Sequence, residues 1–201
     1  VLFDTIYHEH LDYHSLGPLL PFFERHGLMV VDAARVESHG GSLRVFVQRA
    51  SPERKASAQV DRLLAEEEEA GLYRAQTFLD FNDSITQLGE QLTALLQEML
   101  AAGKTVAAFG LPAKATTLMH QFNLDRTVIQ YVVDDNPLKQ GLFSPGVGVP
   151  IVDSAFLETH IPDCIVILAW NFSASICDKL DWFIQGGGKI LVPLPTLTVK
   201  G

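Results

Sequence analysis

The sequence predicts an α/β protein whose C-terminal half forms a doubly wound parallel sheet. From Lys104 onward, short apolar segments alternate with helical segments, which is the order expected when helices cover both faces of a parallel sheet. Two β-branched segments within residues 28–49 predict an antiparallel hairpin ahead of that half. Two long helical patterns connect the hairpin to the sheet.

The composition is typical of a globular protein with a sizeable core and an acidic surface. Hydrophobic residues make up 47% and charged residues 19% of the chain, and the formal net charge is -9. This charge argues against a nucleic-acid partner, which needs a basic face. No apolar run reaches the roughly 18 residues that span a bilayer, so we expect no membrane partner. Cys164 and Cys177 form no CxxC pair, which favours reduced thiols and a cytoplasmic location.

The N-terminal elements are predicted as a strand end, a helix and the hairpin. Residues 1–6 are typical of a strand end, and because the chain does not open on Met we expect an upstream part to be missing. Ser15 is placed to cap a helix, although Pro21 in the first turns favours a later start. Gly40 and Gly41 fit the positive φ values of a hairpin turn.

Two helices are predicted between the hairpin and the C-terminal half. Ser51 followed by Pro52 is typical of a helix start, and Gly71 ends that helix. Within it, Glu66–Glu69 is a charge run that predicts a solvated helix face. Leucines at three- and four-residue spacings predict a second helix over about 77–102.

The C-terminal half is predicted to contain four strands and three helices in alternation. The predicted strands are 105–110, 128–135, 164–170 and 189–194. The predicted helices are 112–122, 153–160 and 173–185. In such sheets, ligands bind outside the carboxyl ends of the strands.

Three of these strand ends carry candidate ligand-binding residues. Gly110 allows a sharp turn after the first strand, and Lys114 adds charge to the following helix N-terminus, which indicates either an anion site or a tight turn with a solvated lysine. Asp134 resembles the ribose-binding acid of dinucleotide folds, but the single glycine of the first turn is not GxGxxG, so an NAD site is weakly supported. Asn171 either bonds a ligand or caps the next helix, and capping is the commoner case.

Titratable side chains are concentrated in the opening stretch Thr5–His14, TIYHEHLDYH. His10 and His14 would share a helix face as metal ligands, but HExxH is absent and no third ligand is fixed by spacing. An acid–base cluster fits better, because histidine titrates near neutral pH and Tyr7 or Tyr13 can hydrogen-bond a substrate oxygen. From the residues alone, a structural cluster and a catalytic one are equally open.

Ordered motifs along nearly the whole chain carry a family resemblance. They are FDTIYHEHLDYHSL, FFERHGL, HGGSLRV, FGLPAKATTL, VVDDNPLKQG, SPGVGVPI and LAWNFS. Together they resemble the S-adenosylmethionine-dependent C-methyltransferases that act on nucleotide-linked deoxysugars. The resemblance implies that residues 1–50 are the C-terminal remnant of a class I methyltransferase core, with its terminal helix and antiparallel strand pair. Residues 51–103 would be a helical connector, and 104–201 a Rossmann-like C-terminal domain.

The resemblance also implies cofactors and a reaction. S-adenosylmethionine would bind mostly upstream of this chain, and zinc is expected only in the missing N-terminal region. The substrate would be a nucleotide-linked 4-keto sugar, deprotonated beside its ketone and then methylated on carbon. The family's Tyr-His-Glu-His motif matches residues 7–10, which implies His10 as the general base. Tyr7 and Glu9 would assist by hydrogen bonds to the sugar or enolate, or by orienting the base, and His8 has no assigned role.

The C-terminal domain would bind the nucleotide end of this substrate. The candidates for that role are Gly110, Lys114 and Asn171, because ligands bind outside the carboxyl ends of the strands in such sheets. Asp135 stands where a basic residue is common among such sequences, so the resemblance does not identify the diphosphate donor.

Two other functions stay open. The first is a nucleotide or nucleotide-sugar binding module without chemistry of its own. The second is an NAD(P) dehydrogenase domain, against which the turn at Gly110 argues. Under the methyltransferase hypothesis, we expect this chain alone to be inactive and to hold the Tyr7–His10 cluster as a partly exposed half-site.

Overall fold

The computed structural model describes residues 2–38 and 41–201 and divides into two units. The larger unit combines Val1–His10 with Asn82–Gly201, and the smaller unit is Leu11–Phe81. The segment Tyr7–His10 therefore belongs to the same unit as the C-terminal sheet. The domain boundaries after residues 50 and 103 stay predictions.

The smaller unit contains an antiparallel hairpin and two helices. Its elements are α1 (Leu16–Arg25), β1 (Leu28–Val36), β2 (Ser42–Arg49) and α2 (Ala58–Glu69). The predicted hairpin is confirmed, since Leu28 pairs with Arg49 and Val36 with Ser42. Gly41 has a positive φ, whereas Gly40 lies outside the described residues. The core of the unit contains Leu16, Val30, Ala33, Val60 and Leu63.

One predicted helix start in this unit agrees with the structure and one does not. α1 begins directly after Ser15, the predicted cap position, and keeps Pro21 inside it, so the later start that Pro21 favoured is wrong. The helix start predicted at Ser51 is wrong, since α2 begins only after Ser57. The Ser57 N–H donates to the carbonyl of Val31 at 2.9 Å, so the chain first runs beside β1.

The prediction that Glu66–Glu69 form a solvated helix face is wrong at Glu67, whose exposed fraction is 7%. Its carboxylate accepts the backbone N–H groups of Leu16 at 2.5 Å and Gly17 at 3.0 Å. It also accepts the hydroxyl of Tyr73, and this hydrogen bond raises the pKa of Tyr73 to about 12. The first N–H groups of a helix have no partner within it, so Glu67 supplies the cap that α1 needs.

The larger unit is built on a six-stranded, mostly parallel sheet. Its elements are α3 (Ala75–Ala101, which begins in the smaller unit), β3 (Val106–Phe109), α4 (Ala113–Gln121), β4 (Val132–Val133), β5 (Ile151–Val152), α5 (Ser154–Thr159), β6 (Cys164–Ile167), α6 (Ser173–Lys179), α7 (Asp181–Gln185), β7 (Lys189–Val192) and β8 (Thr198–Lys200). The strand order is β5-β4-β3-β6-β7-β8, with β8 antiparallel and the other neighbours parallel. The predicted doubly wound α/β fold is confirmed.

Both faces of this sheet are covered by helices. Along β3, Val106 and Ala108 belong to an apolar cluster with residues of α3 and α4. Ala107 and Phe109 belong to a second cluster with residues of α5, α6 and α7. All four side chains are buried, which explains why the strand is apolar throughout. Polar chemistry in this unit therefore has to lie at the strand ends.

The remaining differences concern short or terminal segments. The sequence predicts neither β5 nor β8, because strands of two or three residues are too short to show a periodicity. The strand end predicted over residues 1–6 is wrong in its described part, where Ile6 N–H bonds the carbonyl of Phe3 in a turn. Within the described ranges, no helix has the length and apolar character that crossing a membrane requires.

Replacing Glu67 by alanine is expected to destabilise the smaller unit, because the N–H groups of Leu16 and Gly17 lose their acceptor. A buried amide left unpaired costs about 1–3 kcal/mol, and we expect a loss of that size in the free energy of unfolding in urea. Glu69→Ala is the matched control, since Glu69 is exposed on the same helix and should change stability by less than about 0.5 kcal/mol. Equal losses in both variants would contradict the capping role.

Candidate functional site

The Tyr7–His10 segment is held against the larger unit by its neighbours in sequence. Phe3 is buried and packs edge-to-face on Phe122, with ring centroids 5.3 Å apart. The hydroxyl of Thr117, on α4, donates to the carbonyl of Ile6 at 3.1 Å. A core contact and a backbone hydrogen bond thus fix the start of the segment.

His10 is oriented so that its Nε2 is the basic nitrogen. Its Nδ1 lies 2.8 Å from the carbonyl oxygen of Thr5. Because a carbonyl only accepts, Nδ1 is assigned the proton and Nε2 the lone pair of the neutral ring. The Tyr7 ring lies against the imidazole, with centroids 4.4 Å apart. The His10 side chain is exposed, so an incoming molecule can reach it.

The other two residues of the motif are exposed as well. The side chains of His8 and Glu9 are 86% and 63% exposed, and His8 Nε2 lies 3.9 Å from Glu9 Oε1. An exposed pair of this kind contributes little to stability. The structure therefore brings the rings of Tyr7 and His10 together and places Glu9 beside His8.

The helical argument for a metal site in this stretch is wrong. Residues 10–15 form no helix, so His10 and His14 do not share a helix face. In the part of the chain that the structure describes, no group of three or more His, Cys, Asp or Glu residues could hold a metal ion.

Gly110 makes the predicted sharp turn at the carboxyl end of β3. Its φ is +78°, a left-handed value that favours glycine. A Cβ at this position would lie 2.5 Å from the Cβ of Ala169, at the end of β6. The Gly110 N–H donates to the carbonyl of Val133 at 2.7 Å, which holds the turn against β4.

Asp134 braces this turn from the neighbouring strand end. Its Oδ2 accepts the backbone N–H of Leu111 at 2.7 Å and lies 3.1 Å from Lys139 Nζ. Its Oδ1 accepts the N–H of Asn136 at 2.9 Å. Because both oxygens bond the protein, Asp134 is not placed to bind a cofactor ribose, which argues further against an NAD site.

The alternative of a tight turn with a solvated Lys114 is wrong. Its side chain is 16% exposed, and Nζ lies 3.8 Å from Asp4 Oδ2. The same Nζ lies 3.7 Å from the ring centroid of Trp170, within the range of a cation–π contact. Burial lowers the pKa of Lys114, and the attraction of Asp4 opposes that effect.

Asn171 lies in a short 3₁₀ turn, Trp170–Phe172, that follows β6. The residue at the N-cap of α6 is Phe172, and no side chain caps that helix. The capping role for Asn171 is therefore wrong for α6. Its exposed side chain lies at the carboxyl edge of the sheet, next to Trp170.

A positive charge at this edge was missed by the sequence reasoning. Lys179, at the end of α6, lies 2.9 Å from both carboxylate oxygens of Asp135 and 3.2 Å from Ser154 Oγ. The hydrogen bonds from Lys179 and Ser154 hold the pKa of Asp135 below its usual value. A lysine in the last turn of a helix is usually assigned to the helix dipole, so no pattern pointed to this pairing.

The chain belongs to the family described as C-methyltransferase C-terminal domain, which matches residues 37–195. It is similar to the C-methyltransferase NovU of Streptomyces niveus, with 38% identity over 193 residues. That match covers 96% of this chain and 46% of NovU, so the chain spans about half the length of this curated relative. The family resemblance of the sequence motifs is confirmed.

Replacing Gly110 by alanine is expected to distort the carboxyl edge, because the new Cβ meets Ala169 at a strained φ. Gly141 is the matched control, since its φ is +80° and an added Cβ meets nothing within 4 Å. Both variants should lose about 1–2 kcal/mol from the backbone, and Gly110→Ala about 1–3 kcal/mol more from overpacking, measured by urea denaturation.

A second substitution tests the contact itself. Adding Ala169→Gly to Gly110→Ala should recover part of the extra loss, because it removes the Cβ that the new side chain meets. Equal stabilities for Gly110→Ala and Gly141→Ala would contradict the close approach of the two strand ends.

Proposed function

We propose that this chain is the C-terminal part of an S-adenosylmethionine-dependent C-methyltransferase that acts on a nucleotide-linked 4-keto deoxysugar. The family match and the similarity to NovU support methyl transfer to carbon. The ordered motifs of the sequence support the sugar substrate. A cytoplasmic location belongs to the same proposal, and it is supported by two buried, unpaired cysteines, Cys164 and Cys177.

The geometry of His10 is the observation that carries this proposal. Methylation beside a ketone needs a base that removes a proton at near-neutral pH. The bond from Nδ1 to the Thr5 carbonyl leaves Nε2 as the nitrogen that accepts that proton. Tyr7 lies against the same ring and can supply a hydroxyl donor.

The proton and the charge then follow a simple course. His10 Nε2 takes the proton from the carbon beside the ketone, and the electron pair moves onto the ketone oxygen. The Tyr7 hydroxyl donates a hydrogen bond to that developing oxyanion, which lowers the energy of the enolate. Glu9 is assigned an assisting role through hydrogen bonds to the sugar. The enolate carbon is the nucleophile that would accept the methyl group, while the sulfonium sulfur of the methyl donor would keep the bonding electron pair and leave as a thioether.

The sheet in this chain does not fit an adenosyl methyl donor. The turn after β3 carries one glycine, and Pro112 in it has no N–H to offer a ligand. Asp134, which stands where an acid would bind ribose hydroxyls, is bonded to the backbone of Leu111 and Asn136. We therefore propose that S-adenosylmethionine binds mostly outside this chain; the family resemblance assigns zinc there as well.

The carboxyl edge of the sheet is assigned to the nucleotide end of the substrate. The proposed residues are Gly110, Lys114 and Asn171, which lie after β3, in the first turn of α4 and after β6. Lys114 contacts Trp170, so the residues that follow β3 lie beside the residues that follow β6. Asp4 balances the charge of Lys114. We therefore expect neutral donors such as the Asn171 amide to contribute more to binding the nucleotide end of the substrate.

Replacing His10 by alanine in the full-length enzyme is expected to lower kcat for methyl transfer by about 10²–10⁴-fold, the usual contribution of a general base. Affinity for S-adenosylmethionine, measured by calorimetry, should not change. His8→Ala is the matched control, because His8 is exposed two residues away and has no assigned role. Near wild-type transfer by His10→Ala would refute the base assignment and favour a binding module without chemistry.

A further inference from the structure

Asp4 is a buried carboxylate at the start of the segment that carries His10. It is 0% exposed, and its Oδ1 has no hydrogen-bond partner among the described residues. Burying an ionised carboxylate with incomplete pairing is unfavourable. Most buried polar atoms in folded proteins are hydrogen-bonded, so the position of Asp4 points to a role.

The partners of Asp4 come from distant parts of the sequence. Trp170 Nε1 donates to Asp4 Oδ2 at 2.5 Å, across 166 residues. Lys114 Nζ lies 3.8 Å from the same oxygen and 3.7 Å from the Trp170 ring centroid. These three side chains form one contact set, which we call the Asp4 cluster: Asp4, Lys114 and Trp170.

The Asp4 cluster connects the opening segment to the carboxyl edge of the sheet. Lys114 lies in the first turn of α4, and Trp170 begins the 3₁₀ turn that holds Asn171. Both positions flank the strand ends to which the nucleotide end of the substrate is assigned. Asp4 therefore fixes the chain that leads to His10 onto that edge.

The connection from Asp4 to His10 is short. The residue that follows Asp4 is Thr5, whose carbonyl accepts the hydrogen bond from His10 Nδ1 at 2.8 Å. Beyond this point, the Thr117 hydroxyl also bonds the carbonyl of Ile6. A displacement of Asp4 would move the acceptor that sets both the orientation and the tautomer of His10.

We propose that Asp4 is a positioning residue, which holds the Thr5 carbonyl and hence His10 in place through Trp170 and Lys114. This inference rests on the proposed role of His10. It adds a residue that touches no reacting atom and acts through the backbone. The lowered pKa of Lys114 is consistent with a cluster that is largely shielded from water.

The test has two readouts that report on different parts of the inference. Hydrogen–deuterium exchange of the 201-residue chain reports whether Asp4 holds residues 5–10 in place. Steady-state kinetics of the full-length enzyme report whether that placement matters for the reaction. The variants are Asp4→Ala, Trp170→Phe and their combination. Trp182→Phe is the matched control, because it makes the same substitution at the other tryptophan.

We expect Asp4→Ala to speed amide exchange in residues 5–10 while the strands β3, β6 and β7 stay protected. Its kcat should fall by about 10–100-fold with KM changed less than about threefold, as for a misplaced catalytic group. Trp170→Phe keeps the aromatic ring but loses the N–H donor, and should show smaller changes in the same direction. The double variant should be no slower than Asp4→Ala, because both changes break one connection.

Each other outcome has a definite meaning. Unchanged exchange in residues 5–10 of both single variants would overturn the inference. Faster exchange with unchanged kcat, in an enzyme that His10→Ala inactivates, would also overturn it. Faster exchange with full activity in both Asp4→Ala and His10→Ala would refute the assignment of His10 as the base and leave Asp4 as an anchor only. If Asp4→Ala does not fold, Trp170→Phe decides by the same criteria.

Discussion

The burial of both faces of the parallel sheet is the constraint on which this structure depends. Because alternate residues of β3 face two apolar clusters, no polar side chain can lie along the strand. Chemistry is therefore confined to the strand ends, where Gly110 turns the chain and Asp134 braces the turn. The same edge receives the opening segment, whose Asp4 is bound by Trp170 and Lys114.

Most of the fold could be predicted because local periodicity reports burial. The hairpin β1–β2, the long helix α3 and the alternation from residue 104 onward all leave such a pattern. The parts that were missed depend on partners far away in sequence. Glu67 reads as one of four solvated glutamates, yet it caps α1 across 51 residues. β8 forms only because β7 offers it an edge.

The candidate site also has a part that local sequence predicts and a part that depends on residues distant in sequence. The motif predicts Tyr7, Glu9 and His10 as site residues, and the bond from His10 to the Thr5 carbonyl joins residues only five positions apart. The Asp4 cluster could not be predicted, because no short-range pattern relates residues 4, 114 and 170. The pairing of Lys179 with Asp135 was missed for the same reason. This pairing places a positive charge at the edge of the sheet. The sequence thus predicts candidate reacting residues, and the fold shows which contacts hold them.

Exchange of the proton beside the ketone is the measurement that tests the central claim most directly. The full-length enzyme, incubated with a 4-keto nucleotide sugar in D₂O without a methyl donor, should incorporate deuterium at that carbon, followed by proton NMR. His10→Ala should slow this exchange by about 10²–10⁴-fold, since the step needs only the base and the oxyanion donor. Exchange at the wild-type rate in His10→Ala would contradict the assignment of His10 as the base.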